Sequence, residues 1–379
     1  MKPLLLLSRG DADADFIYAT GFAVESAIYL KFDDQEDLLA VGALELERAR
    51  QESRVKQVVD VRDAGLEKGA ADIDAALARL AARLLRERGH ENARVAPMLP
   101  AAWYEEIRKA GVGPEIEPGL FLDQRRRKSA EEASFIHSAQ RAAEAACAAV
   151  MAVLTQADVR DGQLWLEGEP LTSERLKVEA ESALTGIGYA AGDLIIAGAP
   201  GNAMGHYRGE GPLKAGAPIV MDIFPRGRTS HYHGDLTRTV VVGEVSDELR
   251  RMHAACCEAL DSAIDMLKEG ANGKDVHRAA CTILLERGYG ATTEGFEGDP
   301  KRPRMNHSLG HGVGLEIHEA PYLRDLDYPL VSGDVVTVEP GLYLNGFGGL
   351  RVEDTGMVTK GGFKNFTTLT RSLEPQDYL

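Results

Sequence analysis

The stretch IVMDIFPRGRTSHYHGDLTRT, residues 219–239, decides how this chain reads. It opens as an apolar run, turns around Pro225 and Gly227, and resumes through Leu236 and Thr239. That pattern predicts two antiparallel arms over Ile219–Phe224 and Leu236–Val242, with Asp222 on the first and Asp235 at the second. Such a hairpin can bring both residues to neighbouring places on one face. A carboxylate inside IVMDIF is costly to bury unless it is paired or binds a cation. Alone the hairpin is a weak signal, because aspartates at strand ends are common.

Two further stretches strengthen it. In NHSLGHGVGLEIHEAP, residues 306–321, His307, His311 and His318 fall within twelve positions of a chain that has ten histidines. Glycines around His311 would let the backbone approach an ion or substrate closely. His318-Glu319 resembles the start of a zincin HExxH helix, but no second histidine follows at that spacing and Pro321 would break the helix. Downstream, VVTVEPGLY (335–343) and GLRVEDTG (349–356) each set one glutamate, Glu339 and Glu353, in a run expected to be strand. The valines before Glu339 read as buried, which argues against a merely exposed residue there. Together these stretches offer four carboxylates and one imidazole. Hard oxygen donors with a single nitrogen suit manganese, with cobalt or zinc as alternatives, better than a thiolate site would. Two bridging carboxylates can hold two cations about 3.5–4 Å apart with one hydroxide between them.

The remaining sequence sets the frame. A length of 379 residues implies two domains, here 1–127 and 128–379. In the first, Leu4–Leu7 (expected as an edge strand), Ala27–Phe32, Leu38–Val41 and Val55–Val61 read as strands. Ala71–Arg88 and Ala101–Lys109 read as helices, giving a small α/β domain. In the second, helices are expected at Ser129–Leu154, Thr172–Leu184, Asp247–Lys268 and Gly273–Arg287, and further strands at Val335–Leu344 and Leu350–Thr359. The net charge of −16, from 43 basic and 59 acidic residues, opposes nucleic-acid binding. The basic run Arg125–Lys128 is read as a domain junction and solvated helix start. No segment approaches the roughly 20 apolar residues of a membrane span, and Leu4–Leu7 is too short for a signal-peptide core. The cysteines, Cys147, Cys256, Cys257 and Cys281, form no disulfide framework, so reduced thiols in the cytoplasm are expected.

The motifs MDIF, GDLTRT, NHSLGHGVGLEIHEAP, VTVEPGLY and GLRVED, in that order, resemble those of the pita-bread metallopeptidases. That family includes proline dipeptidase, aminopeptidase P, methionine aminopeptidase and creatinase. DFIYATGF and ELERAR resemble the creatinase-like N-terminal domain, which methionine aminopeptidases lack. The resemblance implies an α/β (α+β) chain whose catalytic half holds two divalent ions per subunit. It implies that Asp222 chelates one ion, that Asp235 and Glu353 bridge, and that His311 and Glu339 complete the second. Glu339 would also move the proton of the bridging hydroxide. His318 would steady the tetrahedral intermediate and His206 would stand over the substrate. His307 would line the proline side, Arg351 would stand near the bridging glutamate, and Tyr343 near the metals. The substrate would be a small peptide with proline second, and the assembly a homodimer.

Some positions depart from the family pattern. Twelve residues separate the two aspartates, two more than the family spacing, but one added to each arm preserves their pairing. Phe224 stands where a small residue is common, and His231 and His233 flank Tyr232. Both histidines are read as exposed near the turn, with a reach into the cleft as the sharper alternative. Some prolidases carry a carboxylate-holding arginine four residues after the histidine matching His318; here that position is Tyr322, with Arg324 nearby. The leading expectation is an Xaa-Pro dipeptidase. The alternatives are aminopeptidase P, a metal-free creatinase-type hydrolase, and a binding protein on the same scaffold.

Overall fold

The computed structural model describes residues 2–292 and 301–379. The chain divides into two compact units, Met1–Arg125 and Arg126–Leu379.

The first unit is organised on a six-stranded mixed sheet. Across it run Gln57–Asp60, Asp37–Val41, Ala27–Lys31, Leu4–Leu7, Asn92–Val95 and Gly113–Ile116. Leu4–Leu7 is therefore interior rather than at an edge, antiparallel to Ala27–Lys31 and parallel to Asn92–Val95. Its alternate side chains feed two cores. Leu5 and Leu7 pack with Leu77, Leu80 and Leu84 of the Ile73–Glu87 helix, while Leu4 and Leu6 pack with Phe16 and Phe22. Burial of both faces explains an unbroken leucine run. The Asn92–Val95 and Gly113–Ile116 strands escaped the sequence reading, because each is four residues long and carries polar residues or proline. Parallel pairing with neighbours, not local propensity, makes them strands.

The second unit opens with the Ala130–Leu154 helix. Ser129 accepts from the Glu132 N–H and the Glu132 carboxylate accepts from the Ser129 N–H, a complete capping box. The basic run before it is not solvated throughout. Arg126 and Lys128 are buried, the first forked onto the Asp334 carboxylate, the second 2.6 Å from Glu319. Ala130–Leu154 and Ser173–Gly186 pack on a three-stranded antiparallel sheet ordered Ile195–Gly198, Ile219–Ile223, Leu236–Val240. Asp247–Met266 and Gly273–Glu286 pack against a second layer of strands. That layer holds a five-stranded sheet ordered Glu319–Leu323, Gly310–Gly312, Val335–Val338, Asp354–Thr359, Gly362–Asn365. A hairpin, Gly341–Leu344 with Gly348–Arg351, adjoins it in sequence. A small three-stranded meander over residues 158–170 was not anticipated.

The two runs expected as continuous strands are interrupted, and the interruptions fall on the glutamates. Val335–Val338 ends before Glu339-Pro340, where proline cannot donate to a ladder, and Gly341–Leu344 pairs elsewhere. Gly348–Arg351 likewise ends before Glu353, and Asp354–Thr359 resumes in the other sheet. Among the described residues no helix is long and apolar enough to cross a membrane.

Candidate metal centre

The 219–239 hairpin sets the first two carboxylates. Asp222 pairs with Thr237, and Arg226 bridges His233 in the same register, so the longer turn extends the hairpin without shifting it. Asp235 and Thr237, two apart, share the face of Asp222. The long helix pins Asp235 through its backbone. Gln140 accepts from the Asp235 N–H and donates to its carbonyl, both at 2.8 Å. A Cβ on the preceding Gly234 would stand 2.5 Å from the Ala139 carbonyl carbon, so only glycine permits this approach. The glycines beside His311 work similarly, but what approaches is a neighbouring strand. A Cβ at Gly310 would meet the Thr337 carbonyl at 2.1 Å, and one at Gly312 the Ala320 carbonyl at 2.4 Å.

Five donors converge. Single ligand atoms of Asp235, His311 and Glu353 lie within 4.8 Å of one another. His311 Nε2 stands 3.6 Å from Asp235 Oδ2 and 3.5 Å from Glu339 Oε1. Its Nδ1–H donates to the Gly312 carbonyl at 3.1 Å, which leaves the Nε2 lone pair turned toward those carboxylates. Arg351 Nη2 donates to Asp222 Oδ2 at 2.5 Å. Thr237 Oγ1 donates to Glu353 Oε2 at 2.7 Å and accepts from Arg351 Nε at 3.1 Å.

The electrostatics fit a cation. Burial, then the charges of Glu353, Asp222 and Glu339, raises the Asp235 carboxyl well above the usual carboxylate range. Burial and Glu353 raise Glu339 in the same way, and burial with Asp222 lifts Glu353 to about 8. Among the described residues, four carboxylates thus face the buried Arg351, an arrangement that divalent ions would neutralise. Burial, then His318, pushes His311 down to about 3, so the imidazole is neutral and able to ligate. The residues present fit divalent metal ions.

Over this cluster lies a cavity of about 690 Å³. Asp222, Asp235, His311, Glu339, Arg351 and Glu353 line it, with His206, His307 and His318 among the remaining wall residues. Phe224 is also on the wall. Tyr343 stands one layer back. Its hydroxyl accepts from Arg351 Nη1 at 2.9 Å and reaches His307 Nε2 at 3.0 Å, and it does not line the cavity. His307 Nδ1–H donates to the Ser308 carbonyl, so both ring nitrogens are engaged. Neither His231 nor His233 lines the cavity. His231 accepts from Arg226 at 3.0 Å, and His233 is half-buried rather than exposed, with desolvation and Arg226 lowering it to about 4. Tyr322 and Arg324 are off the cavity too, and the guanidinium stacks 4.9 Å over the tyrosine ring.

The sequence reading missed several supporting residues. Arg238, fully buried, donates to the Glu353 carbonyl and reaches Asp354 Oδ1 at 2.9 Å. Lys128 and Glu319 form a buried ion pair next to His318. A capped helix and GDLTRT were visible, but which polar groups meet across about 100–200 residues of chain was not.

A cluster of buried carboxylates with one neutral imidazole, under a cavity on a two-half α/β frame, defines a metal-dependent hydrolase centre. The family comparison makes that specific: the chain belongs to metallopeptidase family M24, whose model matches residues 134–360. The creatinase/prolidase N-terminal domain matches residues 4–150. An Xaa-Pro dipeptidase from Pyrococcus horikoshii is 33% identical over 279 residues, covering 73% of this chain and 72% of that protein. The solved prolidase from P. horikoshii OT3 superposes with TM-score 0.78 at 27% identity, over 98% of this chain and 95% of that one. An X-Pro aminopeptidase from Thermotoga maritima gives TM-score 0.80 at 26% identity, over 98% and 97%. The pita-bread expectation holds, and the chain is a metallopeptidase.

Proposed function

We propose that this metallopeptidase is an Xaa-Pro dipeptidase, which hydrolyses the bond between an N-terminal residue and proline. The convergence of Asp222, Asp235, His311, Glu339 and Glu353 beneath one cavity carries the reading, and the activity of the P. horikoshii relative supports it. These five side chains would hold two divalent ions, with manganese favoured by the donor set. When bound, the ions would supply Lewis acidity that ionises water near neutral pH and polarises the scissile carbonyl.

The chain's own residues do the rest. Arg351 fixes Asp222 and, through the Tyr343 hydroxyl, His307, so one arginine sets both a ligand and a wall of the cavity. With both nitrogens engaged, His307 offers ring carbon, a surface suited to the apolar proline ring. His318, edge-on to His311 with ring centroids 4.2 Å apart, is lowered from the usual imidazole range by desolvation and then by His206, which favours the neutral ring, and it donates an N–H to the developing oxyanion. His206, on the same wall, orients the substrate. The imide nitrogen lacks a proton and must gain one to leave. Glu339 takes the proton released by the attacking water and returns it to that nitrogen.

We also propose a cytoplasmic homodimer. The four free cysteines suit a reducing compartment, and the family resemblance supports pairing. Aminopeptidase P remains the second reading, favoured by the likeness to the T. maritima enzyme. Hydrolysis of Ala-Pro and Ala-Pro-Ala, with manganese added and then chelated, separates the two. Manganese-dependent cleavage of the dipeptide alone is expected. Cleavage of the tripeptide would establish an aminopeptidase, and cleavage of neither, with metal bound, would overturn the proline specificity.

A further inference from the structure

Among the described residues, the cavity wall carries two cations, Arg208 and Arg351, and four carboxylates. Arg351 is fully engaged: Nη2 goes to Asp222, Nη1 to Tyr343 and the Gly205 carbonyl, and Nε to Thr237. Arg208 differs. Its side chain is half exposed, and its salt bridge is to the outlying Asp193, 3.4 Å away and 87% exposed. An ion pair so solvated is worth little and is readily exchanged.

The backbone beneath Arg208 is nonetheless fixed. Its carbonyl accepts from the Ile196 N–H at 3.3 Å. Gly209, at φ +83°, presses on Ile196, where a Cβ would meet the carbonyl oxygen at 1.9 Å. Lys177 Nζ donates to the Gly209 carbonyl at 2.7 Å. Ile195, next along, pairs directly with Asp222. Arg208 is thus anchored on the far side of the strand that pairs with the Asp222 strand, two inter-strand spacings of about 4.8 Å each from it. A dipeptide bound with its scissile bond at the carboxylate cluster places its terminal carboxylate a few bonds farther out. That group is an anion entering an acidic cavity, and a planar guanidinium is suited to receive it with two parallel hydrogen bonds.

We propose that Arg208 receives the C-terminal carboxylate of the dipeptide and so sets the preference for dipeptides over longer chains. This rests on the Xaa-Pro reading above. It also separates this chain from a design that uses the Tyr322 position or Arg324, neither of which lines the cavity.

The test compares Ala-Pro with Ala-Pro-amide, which lacks the carboxylate, on the manganese-loaded full chain. Arg208→Gln should raise KM for Ala-Pro by about tenfold or more, with kcat much less affected. The preference for Ala-Pro over its amide should fall by a similar factor, and Arg208→Lys should retain part of it. An unchanged preference in Arg208→Gln would overturn the proposal. If the unmodified enzyme cleaves neither compound, the Xaa-Pro reading fails separately. Isothermal titration with the same two compounds then decides: tighter binding of Ala-Pro, lost in Arg208→Gln, supports the role, and equal binding of the two refutes it.

Discussion

The two units use buried β-sheet for opposite purposes. In the first, the central strands Leu4–Leu7, Ala27–Lys31 and Asp37–Val41 are apolar on both faces, and Leu5, Ile28, Leu30 and Leu39 are fully enclosed. In the second, strands just as buried carry Thr237, Arg238, Thr239, Arg351, Asp354 and Thr355, with Glu353 at a strand break. The apolar sheet is stable without a ligand. The polar one closes because its buried charges are paired, and at its centre, among the described residues, four carboxylates face Arg351 as the buried arginine. Function sits where the rule of apolar interiors is broken.

The strongest break of that contrast is Glu353→Ala. It removes a carboxylate proposed to bridge, so metal and hydrolysis should disappear together, with activity falling by about a thousandfold or more. The metal-free protein should not suffer, because the substitution relieves repulsion with Asp222. Melting in chelator and in manganese reads both effects. The unmodified protein gains stability from the ion, by about 2.7 kcal/mol at a hundred times Kd. The variant should gain nothing. A variant that still binds two ions would remove Glu353 from the ligand set.

His318→Ala should come next. It deletes a hydrogen-bond donor but no ligand, so kcat should drop by about 10²–10³ while both ions remain. Metal counting beside kinetics checks this. Near-normal turnover would mean that another group meets the oxyanion.

The contrast also explains what could be read before the structure. Carboxylates in apolar runs stand out because burying them is expensive, so Asp222, Asp235, Glu339 and Glu353 were visible, and the motif order supplied the fold. The strand breaks at Glu339 and Glu353 were not visible. Strand-forming residues continue past both, Leu342 to Leu344 after Glu339 and Thr355, Val358 and Thr359 after Glu353, and only pairing partners show that each glutamate lies where the chain leaves one sheet for another. Gln140 and Lys128 were hidden for a different reason. A glutamine or lysine in a helical or basic segment is ordinarily solvated, and nothing local reveals a partner 95 or 191 residues away. In the first unit, Asn92–Val95 was lost because its strand character comes from its neighbours.

The last comparison sets one buried residue of each unit against the other. Lys128→Met strips the Glu319 carboxylate of its lysine, and losing one partner of a buried pair costs about 3–5 kcal/mol. Leu39→Ala, in the apolar sheet, opens a cavity worth about 2–5 kcal/mol. The two losses are similar in size and different in kind. Adding Glu319→Gln to Lys128→Met removes the carboxylate's charge as well, so denaturant unfolding should show part of the stability restored. No polar second change can refill the space left by Leu39. Because Glu319 adjoins His318, Lys128→Met should also lower kcat, whereas Leu39→Ala should leave the folded fraction with its metal and turnover. Equal kinetic effects from the two would show that the ion pair supports the fold alone and not the loop that carries His318.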